Sequence, residues 1–329
     1  MSQINTQITL TDTACLKAKR VLVTGATGFV GRNLVPRLEE IGAIVMTPTR
    51  QEYDLNKQSD VQLMYRELKP SIVLHLAGLI GGLMANKDRP ADFYYQNMLS
   101  QTLVMHGAFE AGCSKFLTLM GGCSYPGKAA SPIDETQMWD GYPQGESAAY
   151  SSAKKMNIVM SNAYRDQYGF NSVVLVPGNI YGPWDNFDLR NSHVIPALIR
   201  KYHEAKVSNS SEVVAWGTGN AVRDFIYISD AVEAILIALA NYDKSEIINI
   251  SAGIGVTIQQ LTEKIAEVVG FKGKIEWDRT KPDGQLEKVF AVDRMREVLQ
   301  FSPRIDLREG LESTYNWYQK NIAIARLKG

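Results

Sequence analysis

A tyrosine and a lysine four residues apart have the clearest potential for chemistry in this chain. In the stretch YSSAK, Tyr150 and Lys154 lie one turn apart on the same face of a predicted helix. A neighbouring ammonium group favours tyrosinate and so lowers the pKa of the phenol. The hydroxyl would then serve as a general acid or base for a ketone or an alcohol. The spacing is common by itself and gains meaning from a cofactor-binding turn upstream.

Such a turn is predicted near the amino terminus. The stretch VTGATGFVGRNL places Gly25, Gly28 and Gly31 between a predicted strand and a predicted helix. Gly25 permits the tight turn, Gly28 lets the backbone approach a pyrophosphate, and Gly31 allows the helix to pack closely on the strand. The helix amino terminus adds a partial positive charge. The turn therefore indicates a dinucleotide cofactor.

Arg50, after the second predicted strand, bears on which dinucleotide binds. A free ribose 2′-hydroxyl usually meets an acidic side chain at this position, whereas a 2′-phosphate needs a cation. No acid precedes Arg50 in the stretch VMTPTRQEYDL. NADP is therefore favoured over NAD, with a solvated surface arginine as the alternative.

Cys123 lies where a buried strand meets a turn, in LTLMGGCSYPG. Ligands bind at the carboxyl ends of strands in doubly wound sheets, so a thiol here is a candidate for chemistry. The alternative is a small buried hydrophobic residue, the common state of a free cysteine. Three cysteines in all fit neither a disulfide framework nor a zinc-ligand spacing, which predicts no metal site and a reducing, cytoplasmic location.

The elements that must position these residues alternate between strands and helices. Short β-branched runs such as RVLVTGA, SIVLHLAG and NSVVLVPGN are separated by stretches with helical apolar spacing. Buried strands alternating with helices predict an α/β fold, a doubly wound parallel sheet of the Rossmann type. We predict a dinucleotide-binding domain over residues 19–180, with 228–250 returning to it. A smaller substrate domain would comprise 181–227 and 251–329.

Composition limits the classes of partner. The 329 residues are 45% hydrophobic and carry 35 basic and 35 acidic side chains. A neutral chain with a sizeable core does not favour nucleic acid or an anionic membrane as a partner, so a small molecule is expected. No apolar stretch is long enough to span a bilayer. The polar first eighteen or so residues are expected to form a loose leader.

The chain from about Arg20 to Asn321 resembles the extended short-chain dehydrogenase/reductases, the NAD-dependent epimerase/dehydratase family. Within that family it is similar to the enzymes that epimerise and reduce GDP-4-keto-6-deoxymannose. The motifs that carry the resemblance occur in order along the chain: CSYP, YSSAK, NIYGPWDNF, NSHVIPALIRK, WGTG, VRDFIYISD and KPDG.

The resemblance implies roles for four catalytic residues. Tyr150 would protonate the C4 oxygen as hydride arrives from the nicotinamide, while Lys154 holds the ribose. Cys123 would be the base and His193 the acid of epimerisation, because a C–H bond beside a ketone is acidic and inversion needs one group on each face. The implied cofactor-binding residues are Gly25, Thr27, Gly28, Phe29, Val30, Arg50, Leu76, Ala77, Gly78, Tyr150, Lys154, Pro177, Asn179, Ile180 and His193.

The resemblance also implies a nucleotide-diphosphate sugar as substrate, with GDP as the expected nucleotide. The implied contacts are Lys201, Trp216, Arg223, Asn179 and Asp283. A guanidinium suits a pyrophosphate, although Arg223 as a plain surface arginine and Trp216 as a core residue are alternatives. The family usually pairs through two helices, here ADFYYQNMLSQTLVMHGAFEAG and AYSSAKKMNIVMSNAYRDQYG, so a homodimer is expected.

Gly121 departs from the family pattern, which has a serine or threonine there. The missing hydroxyl would normally donate a hydrogen bond to the reacting oxygen, a loss of about 1–3 kcal/mol or about ten- to a hundredfold in rate. Ser124, a water or the Cys123 thiol could substitute. Alternatively, the glycine accommodates a bulkier sugar, such as a GDP-heptose derivative, or marks an enzyme that mainly epimerises. A non-catalytic dinucleotide-binding regulator is the alternative from another class.

Overall fold

The computed structural model describes residues 10–281 and 283–325. Its strands are β1 Arg20–Thr24, β2 Ile44–Met46, β3 Ile72–His75, β4 Lys115–Leu119, β5 Ser172–Pro177, β6 Asn179–Tyr181, β7 Glu212–Trp216, β8 Val222–Tyr227, β9 Ile248–Ile250, β10 Gly255–Thr257, β11 Lys274–Asp278 and β12 Glu287–Lys288. Its α-helices are α1 Phe29–Ile41, α2 Gln58–Leu68, α3 Leu83–Asp88, α4 Pro90–Glu110, α5 Ala148–Tyr168, α6 Val194–Val207, α7 Ile228–Asn241, α8 Ile258–Val269, α9 Asp293–Leu299 and α10 Leu307–Asn321.

Six strands form one parallel sheet in the order β2-β1-β3-β4-β5-β9. The chain runs from β1 outward to β2 and then back across to β3, so the order reverses between β1 and β3. The carboxyl ends of strands at such a reversal form the crevice in which doubly wound sheets bind their ligands. This arrangement confirms the predicted α/β fold with a doubly wound parallel sheet.

Apolar residues cover both faces of this sheet, which explains why its strands are continuous hydrophobic runs. On one face, α1 and α7 pack over strand residues such as Val21, Val23 and Leu74. On the other face, α2 and α4 cover Leu22 and Val73. The two layers of helices hold the strand ends, and the residues that follow them, at fixed positions.

A second core lies among α6, α8 and α10, with aromatic residues such as Phe187, Tyr202 and Tyr318 at its centre. Next to it, β8 pairs with β6 and β12 in parallel and with β10 in the antiparallel sense. Strand β7 pairs with β11 in a separate parallel ribbon. The pairing of β6 with β8 brings the chain after β5 against this smaller unit.

The structure differs from the sequence prediction in two places. Val292, Met295 and Phe301 lie in the core of the large sheet, although residues 251–329 were assigned to the smaller domain. They join it because α9 packs against β9 and α7.

The expected loose leader is also partly wrong. Leu10–Leu16 forms a 3-10 helix, and the side chain of Leu16 is buried against the large core. The rest of that leader, residues 1–9, lies outside the described residues. Within 10–281 and 283–325, no helix is both long and apolar enough to cross a membrane.

Candidate active site

The glycine turn joins β1 to α1 at the strand reversal. Gly25 has φ +75°, and a Cβ there would lie 2.6 Å from the backbone nitrogen of Ala77, so only glycine fits between the two loops. Gly28 is the N-cap of α1 and donates its N–H to the Gly25 carbonyl at 2.9 Å. Gly31 packs so closely that a Cβ would meet the Gly25 carbonyl oxygen at 2.5 Å. The turn thus presents open backbone and a helix amino terminus, which fits a dinucleotide pyrophosphate.

The loop after β3 forms the other wall of this crevice and contains Leu76, Ala77 and Gly78. The Ala77 N–H lies 3.4 Å from the Thr24 hydroxyl oxygen, which links the loop to the end of β1. The point where a Cβ would extend from Gly78 is 4.0 Å from Lys154 Nζ. The structure therefore brings the lysine of α5 to the cofactor crevice.

His75, which ends β3, lies beneath this loop. Its ring is buried, and Nδ1 is 2.8 Å from the Thr24 hydroxyl. Burial, together with the positive charge of Lys154, lowers the pKa of His75 to about 3. A neutral, buried imidazole of this kind supports the loop and does not exchange protons near neutral pH.

Tyr150 and Lys154 are both buried on α5. Burial raises the pKa of the Tyr150 phenol, and a negative charge on Cys123 would raise it further. Desolvation of the phenolate therefore outweighs the lowering of the pKa that was expected from the neighbouring Lys154. Burial also lowers the pKa of Lys154 to about 8. Tyr150 is thus a protonated phenol, so its hydroxyl has a proton to donate.

Gly121 lies between Cys123 and Tyr150. A Cβ on Gly121 would be 3.1 Å from Cys123 Sγ and 3.8 Å from the Tyr150 hydroxyl oxygen. The Cys123 thiol and the Tyr150 hydroxyl therefore lie next to the position that a side chain at residue 121 would occupy, just after β4. Ser124 cannot replace the missing hydroxyl, because it is fully buried and donates to the Ser151 carbonyl at 3.2 Å. A water and the Cys123 thiol remain as candidates.

A cavity of about 260 Å³ lies between α6 and β8. His193 is the N-cap of α6 and is exposed to solvent, and the protein atoms packed around its imidazole lower its pKa by partial desolvation. Six residues named from the sequence line this cavity: Asn179, Ile180, His193, Trp216, Arg223 and Asp283.

Polar contacts fix Arg223 and Asp283 at one side of the cavity. Arg223 donates through Nη2 to the Asp283 carbonyl oxygen at 3.3 Å. The Asp283 carboxylate accepts from the Thr218 N–H at 2.6 Å and from the Thr218 hydroxyl at 2.7 Å, which lowers its pKa. Burial lowers the pKa of Arg223, and the negative charge of Asp283 partly offsets this lowering. The guanidinium is held in place and available to an anion.

Lys201, Arg50 and Pro177 lie outside this cavity's lining, whereas Asn179 belongs to it. The Lys201 ammonium is 5.1 Å from the centroid of Trp216, whose indole is 55% exposed. Lys201 therefore borders the cavity through the tryptophan. Arg50 is exposed in the loop after β2. Asn179 donates its side-chain N–H to the Asp224 carbonyl at 2.8 Å, and Pro177 ends β5.

Two lysines near the site were not identified from the sequence. Lys288 on β12 pairs in register with Arg223, and its pKa is lowered by burial, while a negative charge on Cys123 would oppose that shift. Lys281 Nζ lies 5.6 Å from the Trp216 ring. Strand alternation in LEKVF was the available signal for Lys288, but a two-residue strand is too short to predict with it.

The chain is similar to known proteins over most of its length. Residues 21–251 match the model of the NAD dependent epimerase/dehydratase family. GDP-L-fucose synthase 1 from Arabidopsis thaliana is 41% identical, covering 93% of this chain and 95% of that protein. GDP-L-fucose synthase from Escherichia coli is 35% identical, covering 93% and 98%. GDP-mannoheptose C4 reductase from Campylobacter jejuni, solved with NADP bound, is 29% identical with a TM-score of 0.82, covering 91% and 98%.

Proposed function

Because the chain belongs to the NAD dependent epimerase/dehydratase family, we propose that it is an NADP-dependent enzyme that epimerises and then reduces a GDP-linked 4-keto sugar. The substrate we propose is GDP-4-keto-6-deoxymannose, as implied by its similarity to GDP-L-fucose synthases. The observation that carries the proposal is the cluster at Gly121. There, Cys123 Sγ and the Tyr150 hydroxyl flank one point at the carboxyl edge of the sheet.

NADP fits the residues present. The Gly25 turn leaves room for a pyrophosphate at the amino terminus of α1, and Lys154 reaches the neighbouring loop after β3. Arg50 is the cation that we assign to the 2′-phosphate. When bound, NADPH supplies the hydride that reduces the C4 carbonyl.

The residues of the chain perform the proton transfers. Cys123 removes the proton beside the ketone, and His193 returns one from the opposite face, which inverts the carbon. Tyr150 donates its proton to the C4 oxygen during reduction. Its raised pKa keeps the phenol protonated until that step. Arg223 binds the diphosphate and Trp216 contacts the nucleotide base.

Deuterium exchange and NADPH oxidation test the two halves of this reaction separately. The protein would be incubated with GDP-4-keto-6-deoxymannose in deuterated water, with and without NADPH. We expect deuterium at the carbons beside the ketone and a fall in NADPH absorbance. Cys123→Ala and His193→Ala should reduce exchange at one or both carbons by about 10²- to 10⁴-fold, the usual contribution of a general acid or base. Cys15→Ser, at an exposed thiol, is the control.

The other outcomes identify other functions. Exchange without NADPH oxidation would identify an epimerase whose reductase activity is lost with the hydroxyl at position 121. Binding of NADP without exchange or oxidation across a panel of sugar nucleotides would contradict the enzyme assignment and favour a non-catalytic regulator.

A GDP-heptose derivative is the second candidate substrate. The specific observation in its favour is the absence of a side chain at Gly121, where the three atoms nearest to a Cβ would be Cys123 Sγ and two atoms of the Tyr150 side chain. A larger sugar would gain the volume that a serine or threonine side chain takes up at this position. Faster turnover of a GDP-4-keto-heptose than of the deoxyhexose would support this alternative.

We also propose a cytoplasmic homodimer. The reducing location follows from the cysteines, since Cys15, Cys113 and Cys123 are all free thiols. The pairing surface we propose consists of α4 and α5, which pack side by side and leave Tyr94, Tyr95 and Val159 exposed.

A further inference from the structure

Three side chains form a stack on the outer side of the glycine turn. The Arg32 guanidinium lies 4.5 Å from the centroid of the Trp184 ring, and that ring lies 5.0 Å from the Trp317 ring. We refer to Arg32, Trp184 and Trp317 as the Arg32 stack. Arg32 belongs to the first turn of α1, Trp184 to the segment after β6, and Trp317 to α10. The stack therefore connects the cofactor-binding turn with the smaller unit.

At one end of the Arg32 stack, Arg32 is hydrogen-bonded to the glycine turn. Arg32 Nε donates to the Thr27 carbonyl at 2.9 Å, within the glycine turn itself. The neighbouring Asn33 donates through Nδ2 to the Pro183 carbonyl at 3.0 Å. Two adjacent residues of α1 thus hold the segment that contains Trp184.

At the other end of the Arg32 stack, Trp317 contacts the segment that leads to His193. Phe187 is fully buried and stacks on Trp317 at 6.1 Å and on Tyr318 at 4.6 Å. His193 follows six residues later in the chain as the N-cap of α6. The position of this segment therefore determines where the imidazole lies in the cavity.

Trp184 has a strained backbone. Its φ is +71°, a left-handed conformation that bulky side chains rarely adopt. Such strain persists only where the surroundings hold the residue in place. Here Arg32 covers one part of the indole and Trp317 another. These contacts therefore hold the segment in a conformation that it would otherwise rarely adopt.

We propose that Arg32 is a positioning residue that couples occupancy of the cofactor turn to the position of the His193 segment. A dinucleotide that orders the Gly25–Gly28 turn also fixes the Thr27 carbonyl, and with it the Arg32 guanidinium over Trp184. The strained state of the segment is then favoured and the cavity is preformed for the sugar nucleotide. This inference rests on the proposed function, since it assumes that the turn binds NADP and the cavity binds GDP.

Binding measurements on the full chain test this coupling. The affinity for GDP would be measured by calorimetry with and without saturating NADP⁺, for the unaltered protein, Arg32→Leu and Arg37→Leu. Arg37 is the matched control, because it lies on the same helix and makes ion pairs only with Glu40 and Glu233 among those described. We expect NADP⁺ to tighten GDP binding about fivefold in the unaltered protein and in Arg37→Leu. In Arg32→Leu, the ratio of the GDP affinities with and without NADP⁺ should fall to about one.

Arg32→Lys keeps a cation near the indole but loses the planar guanidinium, so it should restore part of the ratio. An unchanged ratio in Arg32→Leu would overturn the proposal. A loss of NADP⁺ affinity above tenfold with the ratio retained would also overturn it, because Arg32 would then be a direct cofactor ligand. If the unaltered protein bound neither NADP⁺ nor GDP, the proposed function would fail, and this inference with it.

Discussion

At the scale of single residues, Gly121 is the position at which this chain differs most consequentially from the family pattern. Its φ of −116° and ψ of +146° are ordinary extended values, so the backbone does not require glycine. A serine would need only a small shift of Cys123 Sγ. We predict that Gly121→Ser raises the rate of NADPH oxidation with a 4-keto-6-deoxyhexose by about ten- to a hundredfold.

The alanine variant separates the hydroxyl from the effect of filling space. Gly121→Ala adds the Cβ without a donor and should give no gain in NADPH oxidation. Equal gains from serine and alanine would show that the hydrogen bond is not the cause. A loss of activity in both variants, with a heptose substrate, would indicate that the space at Gly121 holds part of the sugar.

Lys154 gives the reaction a pH dependence. Its pKa is lowered by burial to about 8, so the ammonium is present below that pH and is lost above it. We predict that NADPH oxidation falls as the pH rises through about 8, because the neutral amine no longer holds the ribose as a cation. Lys154→Met should be slow and show no fall in that range. If NADPH oxidation by Lys154→Met fell in the same pH range, a group other than Lys154 would be responsible for the pH dependence.

At the scale of elements, the contact between the β1 and β3 loops depends on Gly25. A Cβ there would lie 2.6 Å from the Ala77 nitrogen, so Gly25→Ala must separate the loops in addition to straining the backbone. We predict a loss of NADP⁺ affinity of more than tenfold. Gly112→Ala is the matched control, because its φ is +70° and a Cβ would meet nothing within 4 Å. It should lose about 1 kcal/mol of stability and keep its NADP⁺ affinity.

The elements that could be predicted from the sequence are those in which consecutive residues are buried. Strands such as β1 and β5 contain unbroken apolar runs, VLV and VVLV, because both faces of the sheet are covered, so local composition identifies them. The glycine turn was recognisable because its function constrains each glycine. Neither prediction required knowledge of contacts between distant residues.

The features that could not be predicted depend on such distant contacts. Ser124 donates to a carbonyl on α5, a partner 27 positions away in the chain. The raised pKa of Tyr150 reflects burial by several elements, whereas the sequence showed only the nearby lysine. Likewise, α9 joins the large core through α7 and β9, and nothing in its own seven residues indicates which core it covers.

At the scale of the whole molecule, α4 and α5 form a joined pair with an outward face. Gln101 on α4 donates to the Ala153 carbonyl at 2.6 Å and accepts from Asn157 at 2.8 Å, so the two helices are held in register. Apolar residues are distributed around α4 and not confined to its buried face, a pattern typical of a helix covered on more than one side. On the exposed side Tyr95 is 65% accessible.

We therefore predict that the protein sediments as a dimer at micromolar concentration. Val159→Glu, on the exposed side of α5, would place a carboxylate in the interface without a partner and should raise the dissociation constant more than tenfold. Val207→Glu is the control, because Val207 is exposed at the end of α6 and away from both helices. If the unaltered protein sedimented as a monomer, the dimer would be wrong. If both glutamate variants dissociated the dimer equally, α4 and α5 would not be the pairing surface. Only a carboxylate buried between these helices of two copies would be desolvated, so only Val159→Glu should weaken the dimer.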